Sequence, residues 1–284
     1  MSISDVIQLS KVRLTSSVVF SAIAGYFIAG GSYDSAQLFY LIVGGFLVVA
    51  SSNGFNQLIE IDLDSKMKRT ENRPLPTKRM RPKEALVISL LMGSIGVLLL
   101  FLINYRSGFL GAFSVFLYVL AYTPLKRISS VSVFVGAFPG AIPFMLGWVA
   151  VSNSYDIEAL ILFSIQFIWQ FPHFWAIAWV SSDDYQKAGF KMLPGPKDRS
   201  TAFKALIYTI FLIPISVLPV FGITEKWQLS LVAALFAIVA GLWFLTKAVK
   251  LFKTLEDTDA KKLMISSFIY LPILQLIYVI DKLL

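Results

Sequence analysis

Apolar residues in this chain run in long blocks, and polar residues gather between them. Nine blocks approach or reach the ~20 apolar residues that a spanning helix needs. They fall near 14–30, 37–59, 85–103, 108–123, 132–151, 158–181, 202–222, 228–246 and 263–281. The fourth is the shortest. The pattern predicts an all-α polytopic membrane protein with nine transmembrane helices in one domain over residues 1–284.

Two of the polar intervals are long, roughly 61–84 and 182–201. Each starts with acidic residues at a helix end, continues with basic ones, and contains a Pro-bounded turn: Arg73-Pro74-Leu75-Pro76 and Met192-Leu193-Pro194-Gly195-Pro196. The second and sixth predicted helices are therefore counterparts, which hints at an internal duplication with a cleft between halves. Gly136, Pro139, Gly140 and Pro143 interrupt the fifth helix. They serve close packing, or a bend that opens a cavity.

Composition agrees. The chain is 57% hydrophobic and 15% charged, too apolar for a soluble domain of 284 residues. With nine helices, 22 of the 25 Lys and Arg fall on the side of the N-terminus; Arg106, Lys226 and Lys282 are the other three. The positive-inside rule then predicts a cytoplasmic N-terminus and an outer C-terminus, with the membrane lipid as surroundings. An even number of helices would spoil this partition. The net charge of +8 is juxtamembrane and interleaved with acids, so no nucleic-acid partner is expected. Without cysteine there is no disulfide, thiolate site or cysteine nucleophile. Met1 to Arg13 has no cleavable signal pattern, so the first helix is expected to be retained.

Candidate chemistry begins where the second apolar block ends. Asn56, Glu60 and Asp64 are four residues apart and share one face of a helix. Asp62 points about 120° away from Asn56, at ~100° per residue. Three oxygen-bearing side chains at a membrane boundary suit a hard cation such as Mg2+. The basic run after them, Lys68, Arg69 and Arg73, suits phosphate oxygens. On the same side, Ser181-Ser182-Asp183-Asp184 ends the sixth helix and mirrors the first cluster. Tyr122 and Lys126, one turn apart, are either a membrane-belt pair or donors to phosphate. His173 is the only histidine and lies roughly 15 Å inside the Asp184 end at ~1.5 Å per residue. It either bonds a neighbouring helix or meets a bound group, as a ligand to haem iron or a partner of a propionate.

These residues carry a resemblance. Asn56-x3-Glu60-x3-Asp64 and Tyr122-x3-Lys126 resemble motifs of the UbiA superfamily of intramembrane prenyltransferases. Asp62-x-Asp64-x2-Met67-x-Arg69-Thr70-x2-Arg73-Pro74-Leu75, His173-Phe174-Trp175-Ala176, and Asp184-Tyr185-x2-Ala188-Gly189-x2-Met192-Leu193-Pro194 resemble its haem-farnesylating branch, as does the opening Lys11-Val12-Arg13. The likeness covers nearly the whole chain. Glu60 departs from the usual Asp, Val12 from Pro. Ala188 stands where the superfamily often has a second Asp, so Asp183 or Asp198 is a candidate substitute.

The resemblance implies nine helices around a central cavity capped by the two loops, in a bacterial inner membrane. It implies haem B and farnesyl diphosphate as substrates, Mg2+ as cofactor, and haem O and diphosphate as products. A haem A synthase or a haem-copper oxidase assembly would be the downstream partner. Asn56, Glu60, Asp64 and Asp184 would hold the metal and serve catalysis; Lys68, Arg69, Arg73, Tyr122 and Lys126 would bind diphosphate; His173 would contact haem. One rival is a UbiA-type enzyme with a quinone precursor or other aromatic acceptor. Another is an ion-coupled transporter, although transporters usually place their acids near the midplane.

Overall fold

The computed structural model describes residues 2–284, and the regular structure among them is helical throughout. Helix α1 (Ile3–Leu9) starts with a reciprocal Ser2–Asp5 capping box. It is bent by 52° from α2 (Val12–Ile28), and the break is carried by Lys11, whose φ of 46° is left-handed. Next come α3 (Ala36–Ile59), the one-turn α4 (Ile61–Asp64) and α5 (Pro82–Ile103). Helix α6 (Tyr105–Phe116) passes through a π-helical turn, Leu117–Tyr122, into α7 (Thr123–Leu125). The second part has α8 (Val131–Ser152), α9 (Ile157–Val180), the short α10 (Ser182–Ala188), α11 (Arg199–Val217), α12 (Leu231–Thr254) and α13 (Asp257–Leu283).

Eight of these stretches are long and apolar enough to cross a membrane singly, and the bent α1–α2 pair makes a ninth. Each predicted block matches one of them, the short fourth block included, as Tyr105–Leu125. Helix α5 shows what faces lipid: Leu86, Leu90, Leu91, Ile95, Leu98 and Leu102 are all exposed. In water such a face would be costly; against hydrocarbon it is the expected surface.

The packing order repeats. Helix α2 packs on α3, α3 on α5 and α5 on α6; then α8 packs on α9, α9 on α11 and α11 on α12. Helix α13 lies against α9, α12 and α2. The two series meet along α2 and α8. That seam is backbone against backbone. A Cβ on Gly147 would stand 1.9 Å from the Ala22 carbonyl oxygen, and one on Gly25 would stand 2.1 Å from the Phe144 carbonyl oxygen. Only glycine permits this approach.

Helix α8 is buried along most of its length. Pro143 deprives the Pro139 carbonyl of its helical donor, and Ser114 Oγ of α6 donates to it instead at 3.5 Å. Gln166 and Gln170 of α9 donate to the Gly140 and Ala137 carbonyls at 2.8 and 2.9 Å. Of the two readings of the 136–143 interruption, close packing is the one these contacts support. Gly136 has a further use: a Cβ there would come within 2.5 Å of the Tyr122 ring.

The bundle has two polar ends. Arg106, Lys226 and Lys282, the three residues that the charge partition set apart, share one of them. Arg106 donates to the Asn153 carbonyl at 2.6 Å, Lys226 pairs with Asp156 at 2.9 Å, and Lys282 donates to the Lys226 carbonyl at 3.3 Å. There Glu158 also accepts from the backbone N–H groups of Glu225 and Lys226 at 2.9 and 2.7 Å. The other end carries both long loops.

Candidate active site

Helix α3 does not run straight through its acidic stripe. It stops at Glu60 (φ −106°, ψ 16°) and restarts as α4. The stripe nevertheless persists, because Asp64 N still donates to the Glu60 carbonyl at 2.8 Å. Asn56, Glu60 and Asp64 are all buried, while Asp62 is exposed, as the helical spacing predicts.

Each buried carboxylate has a cation of the chain beside it. Lys126 Nζ lies 2.5 Å from Glu60 Oε1, and Arg73 Nη1 lies 2.7 Å from Asp64 Oδ2. Asn56 Nδ2 donates to Glu60 Oε2 at 2.8 Å and to Thr123 Oγ1 at 3.4 Å. The Lys126 ammonium also sits 4.9 Å from the Tyr122 ring centroid and 5.2 Å from that of Phe190. Burial pulls this ammonium below the ordinary lysine value, and Glu60 pulls it back up. Tyr122 and Thr123 reach the site through the π-helical turn, a form that recurs at functional positions because it re-aims side chains within a helix.

The opposite wall comes from the second loop. Arg69 Nη2 donates to the Tyr185 hydroxyl at 3.3 Å, with its guanidinium 5.5 Å from that ring. The backbone N–H of Lys191 donates to the Lys126 carbonyl at 2.8 Å. Lys11 arrives from the α1–α2 elbow, and its charge feels Arg73, Lys126, Asp64 and Glu60. The elbow is fixed by Gln57, one residue beyond Asn56, whose Nε2 donates to the Leu9 carbonyl at 2.7 Å.

Not every expected residue joins this cluster. Among the described residues no three acidic or histidine side chains gather as a metal-holding group, so Asp184 does not complete a set with Glu60 and Asp64. The reason is register. Helix α9 breaks at Ser181 (φ −98°, ψ 18°) as α3 breaks at Glu60, so four residues on, Tyr185 occupies the place of Asp64. Asp184 corresponds to Leu63. Its field reaches Arg69 instead. Asp183 is exposed. Asp198 caps α11, accepting from Thr201 N at 2.9 Å. Lys68 is exposed and enters no ion pair among the described residues.

His173 is buried on the α13 side of α9. It stacks on Trp169 with ring centroids 4.5 Å apart and meets Phe268 edge-on at 4.6 Å. Its Nδ1 is 2.7 Å from Ser267 Oγ. That hydroxyl donates its single proton to the Met264 carbonyl at 2.6 Å, so it accepts from Nδ1–H, and Nε2 keeps the lone pair.

The profile of the UbiA prenyltransferase family matches residues 18–271. The chain belongs to the UbiA prenyltransferase family. Its relatives include the protoheme IX farnesyltransferases of Christiangramia forsetii, 50% identical over 99% of this chain and 94% of that protein, and of Flavobacterium psychrophilum, 47% identical over 98% and 94%. Among solved structures, a study of digeranylgeranylglyceryl phosphate synthase in membranes gives a TM-score of 0.80 at 19% identity, covering 99% of this chain and 98% of that one. A UbiA homologue from Archaeoglobus fulgidus, bound to GPP and Mg2+, gives 0.71 at 14% identity over 96% and 99%. These two likenesses speak for the UbiA fold, and the site just described is this UbiA member's own set of residues.

The donor set fits a hard cation. Asp64 Oδ1 is buried without a hydrogen-bond partner, and Asn56 and Glu60 present oxygen within the same cluster. An unpartnered carboxylate oxygen in an apolar bundle is costly unless something charged binds it.

Proposed function

We propose that this enzyme transfers the farnesyl group of farnesyl diphosphate to a vinyl group of protohaem, with addition of water, giving haem O and diphosphate. The observation that carries this reading is the buried set Asn56, Glu60 and Asp64 with Lys126 and Arg73 held against its carboxylates. The relatives' activity supports the choice of acceptor.

Asn56, Glu60 and Asp64 would hold Mg2+; Asp184, which does not gather with them, would act on the site only through Arg69. The ion when bound stabilises negative charge on the leaving diphosphate. Once the carboxylates have another partner, Lys126 and Arg73 turn to phosphate oxygens, joined by Arg69 and the Tyr122 hydroxyl; Lys68 would meet the diphosphate only at its exposed edge. The allylic C1–O bond breaks and its electron pair leaves with diphosphate. The terminal vinyl carbon bonds to C1, which puts positive charge on the carbon next to the porphyrin. Water adds there and loses a proton. Buried aromatic and aliphatic walls keep water from the farnesyl cation until the C–C bond has formed. His173 offers haem one atom, Nε2, because Nδ1 is engaged by Ser267.

The membrane is the bacterial cytoplasmic membrane, with both long loops and the N-terminus on the cytoplasmic side. The 22-to-3 partition of Lys and Arg supports that orientation. The deciding experiment incubates purified protein with haem B, farnesyl diphosphate and Mg2+ and weighs the extracted haem. A mass gain equal to farnesyl plus hydroxyl supports the reading. Unchanged haem, with prenylation of a quinone precursor instead, overturns it.

A further inference from the structure

A cavity of about 460 Å3 lies against the first loop, between the restart of α3 as α4 and the beginning of α5. Its size falls within the ~300–1,000 Å3 range of small-molecule sites. Five of its nine lining residues present only carbon: Ile61, Leu75, Pro76, Met80 and Pro82. Leu75 and Met80 are buried in a small core of their own, with Leu9 of α1 and Ala85 of α5. Arg79 also ties the loop to α1 through Asp5, 3.2 Å away. The apolar wall is thus fixed from behind.

The other four lining residues are Asp62, Ser65, Lys78 and Arg81. Arg81 is committed to Glu84 at 2.8 Å. Asp62 and Lys78 are exposed, opposite in charge and open to the same cavity, yet neither enters an ion pair among the described residues. Ser65 Oγ donates its proton to the Asp62 carbonyl at 2.8 Å and keeps lone pairs with which to accept. Lys78 has a left-handed backbone, with φ of 58°, which is uncommon outside glycine. Two bonds of 3.1 Å hold it there, from Lys78 N to the Leu75 carbonyl and from Met80 N to the Pro74 carbonyl. Strained positions of this kind cluster at ligand clamps.

Two spanning helices, α3 and α5, end beside this cavity, which puts it at the polar boundary of the membrane. The exposed face of α5 leads away from it: Leu86 lies one turn beyond Pro82 and Leu90 one turn further. A fitting ligand has an anion for Lys78, an N–H-bearing cation for Asp62 and Ser65, and hydrocarbon for the Leu86 row. We propose that the cavity binds the headgroup of a phosphatidylethanolamine lipid. Its phosphate meets Lys78, its ammonium meets Asp62, and its acyl chains run down the outer face of α5. Basic pockets at a membrane surface take lipid phosphates in general; here the acid beside the cation selects a zwitterion. Asp62 points away from the stripe of Asn56, Glu60 and Asp64, so this site is separate from the reaction proposed above and does not depend on it.

The test counts lipids bound to delipidated full-length protein in detergent by native mass spectrometry. The probes are phosphatidylethanolamine, phosphatidylcholine and phosphatidylglycerol with matched acyl chains. The wild-type protein binds phosphatidylethanolamine about threefold to fivefold better than phosphatidylcholine, which keeps the charge but has no N–H to donate; that is the scale of one exposed charge contact. Asp62→Asn removes this preference and leaves phosphatidylglycerol binding unchanged. Lys78→Gly weakens phosphatidylethanolamine and phosphatidylglycerol alike, and glycine suits the left-handed turn, so the loop keeps its shape. Equal binding of phosphatidylethanolamine and phosphatidylcholine by the wild-type protein overturns the proposal, as does an unchanged profile in either variant. Glycerophosphoethanolamine, the same headgroup without chains, leaves the lipid in place; displacement at equal concentration would make this a site for a soluble phosphoester and overturn the lipid assignment.

Discussion

The two long loops begin alike and end as different machines. Helices α3 and α9 break at the same backbone angles, within about ten degrees, and each restarts as a short helix. Each loop covers a cavity. The first loop then places a carboxylate, Asp64, four residues after its break; the second places an aromatic ring, Tyr185. One half offers oxygen to a cation, and the other offers a ring and hydroxyl to Arg69. The two breaks form like frames, and different side chains give the two loops different walls. A site for a charged donor and a flat acceptor needs such unequal walls.

The sharpest way to break this comparison is to remove the first wall's charge. Asp64→Asn is expected to lower turnover at least ~10²-fold, in line with loss of a principal electrostatic contact. Mg2+-dependent diphosphate binding should vanish while the purified protein remains monodisperse. Asp184→Asn should cost roughly tenfold or less, since the second wall meets phosphate through Arg69. Turnover measured side by side decides the point: equal losses would make the loops equivalent metal sites.

The next effect is on the frame. Gly147→Ala drives a methyl into the Ala22 carbonyl and should cost about 1–3 kcal/mol, the scale of overpacking in a tight core. Thermal unfolding in detergent should show a lower midpoint. An unchanged midpoint would mean that the seam between halves is slack.

Smaller again, Tyr185→Phe removes the hydroxyl that holds Arg69 but leaves the ring. KM for farnesyl diphosphate should rise about threefold to tenfold, the net value of one typical hydrogen bond, while kcat changes little. A fall in kcat with constant KM would give Tyr185 a role in the chemistry. The smallest change belongs to His173→Ala. Protohaem affinity should stay within about twofold, with stability loosened where α9 meets α13. A large loss of haem binding would give Nε2 the main part in recognition.

Much of this was legible in the sequence. Nine apolar blocks became nine spans because hydrocarbon leaves the backbone few alternatives to helix. The Asn56, Glu60, Asp64 spacing survived even the break at Glu60, since one bridging backbone bond kept the face continuous. Other features depended on distance in the fold. Nothing local to Lys11 says that an elbow turns it toward Glu60; the one signal, the Lys11-Val12-Arg13 opening, marked the place without giving a role. The Arg69–Tyr185 contact spans 116 residues. Asp198 shows a different failure. Its Asp-x-x-Thr pattern is an N-cap signature that was visible from the start, yet its charge invited a metal reading. Asp184 likewise looked like a mirror of the first cluster until the helix breaks fixed its register one residue short of Tyr185.

The glycine seam between α2 and α8 has a mechanical consequence. Machines made of two repeats often work by rocking one half against the other. Here, at Gly25 and Gly147, main-chain atoms of the two halves meet with no side chain between them. Rotation about that line would drive carbonyl oxygens into opposing backbone. The close approach leaves no room along this line for a side chain larger than glycine's hydrogen at Gly25 or Gly147.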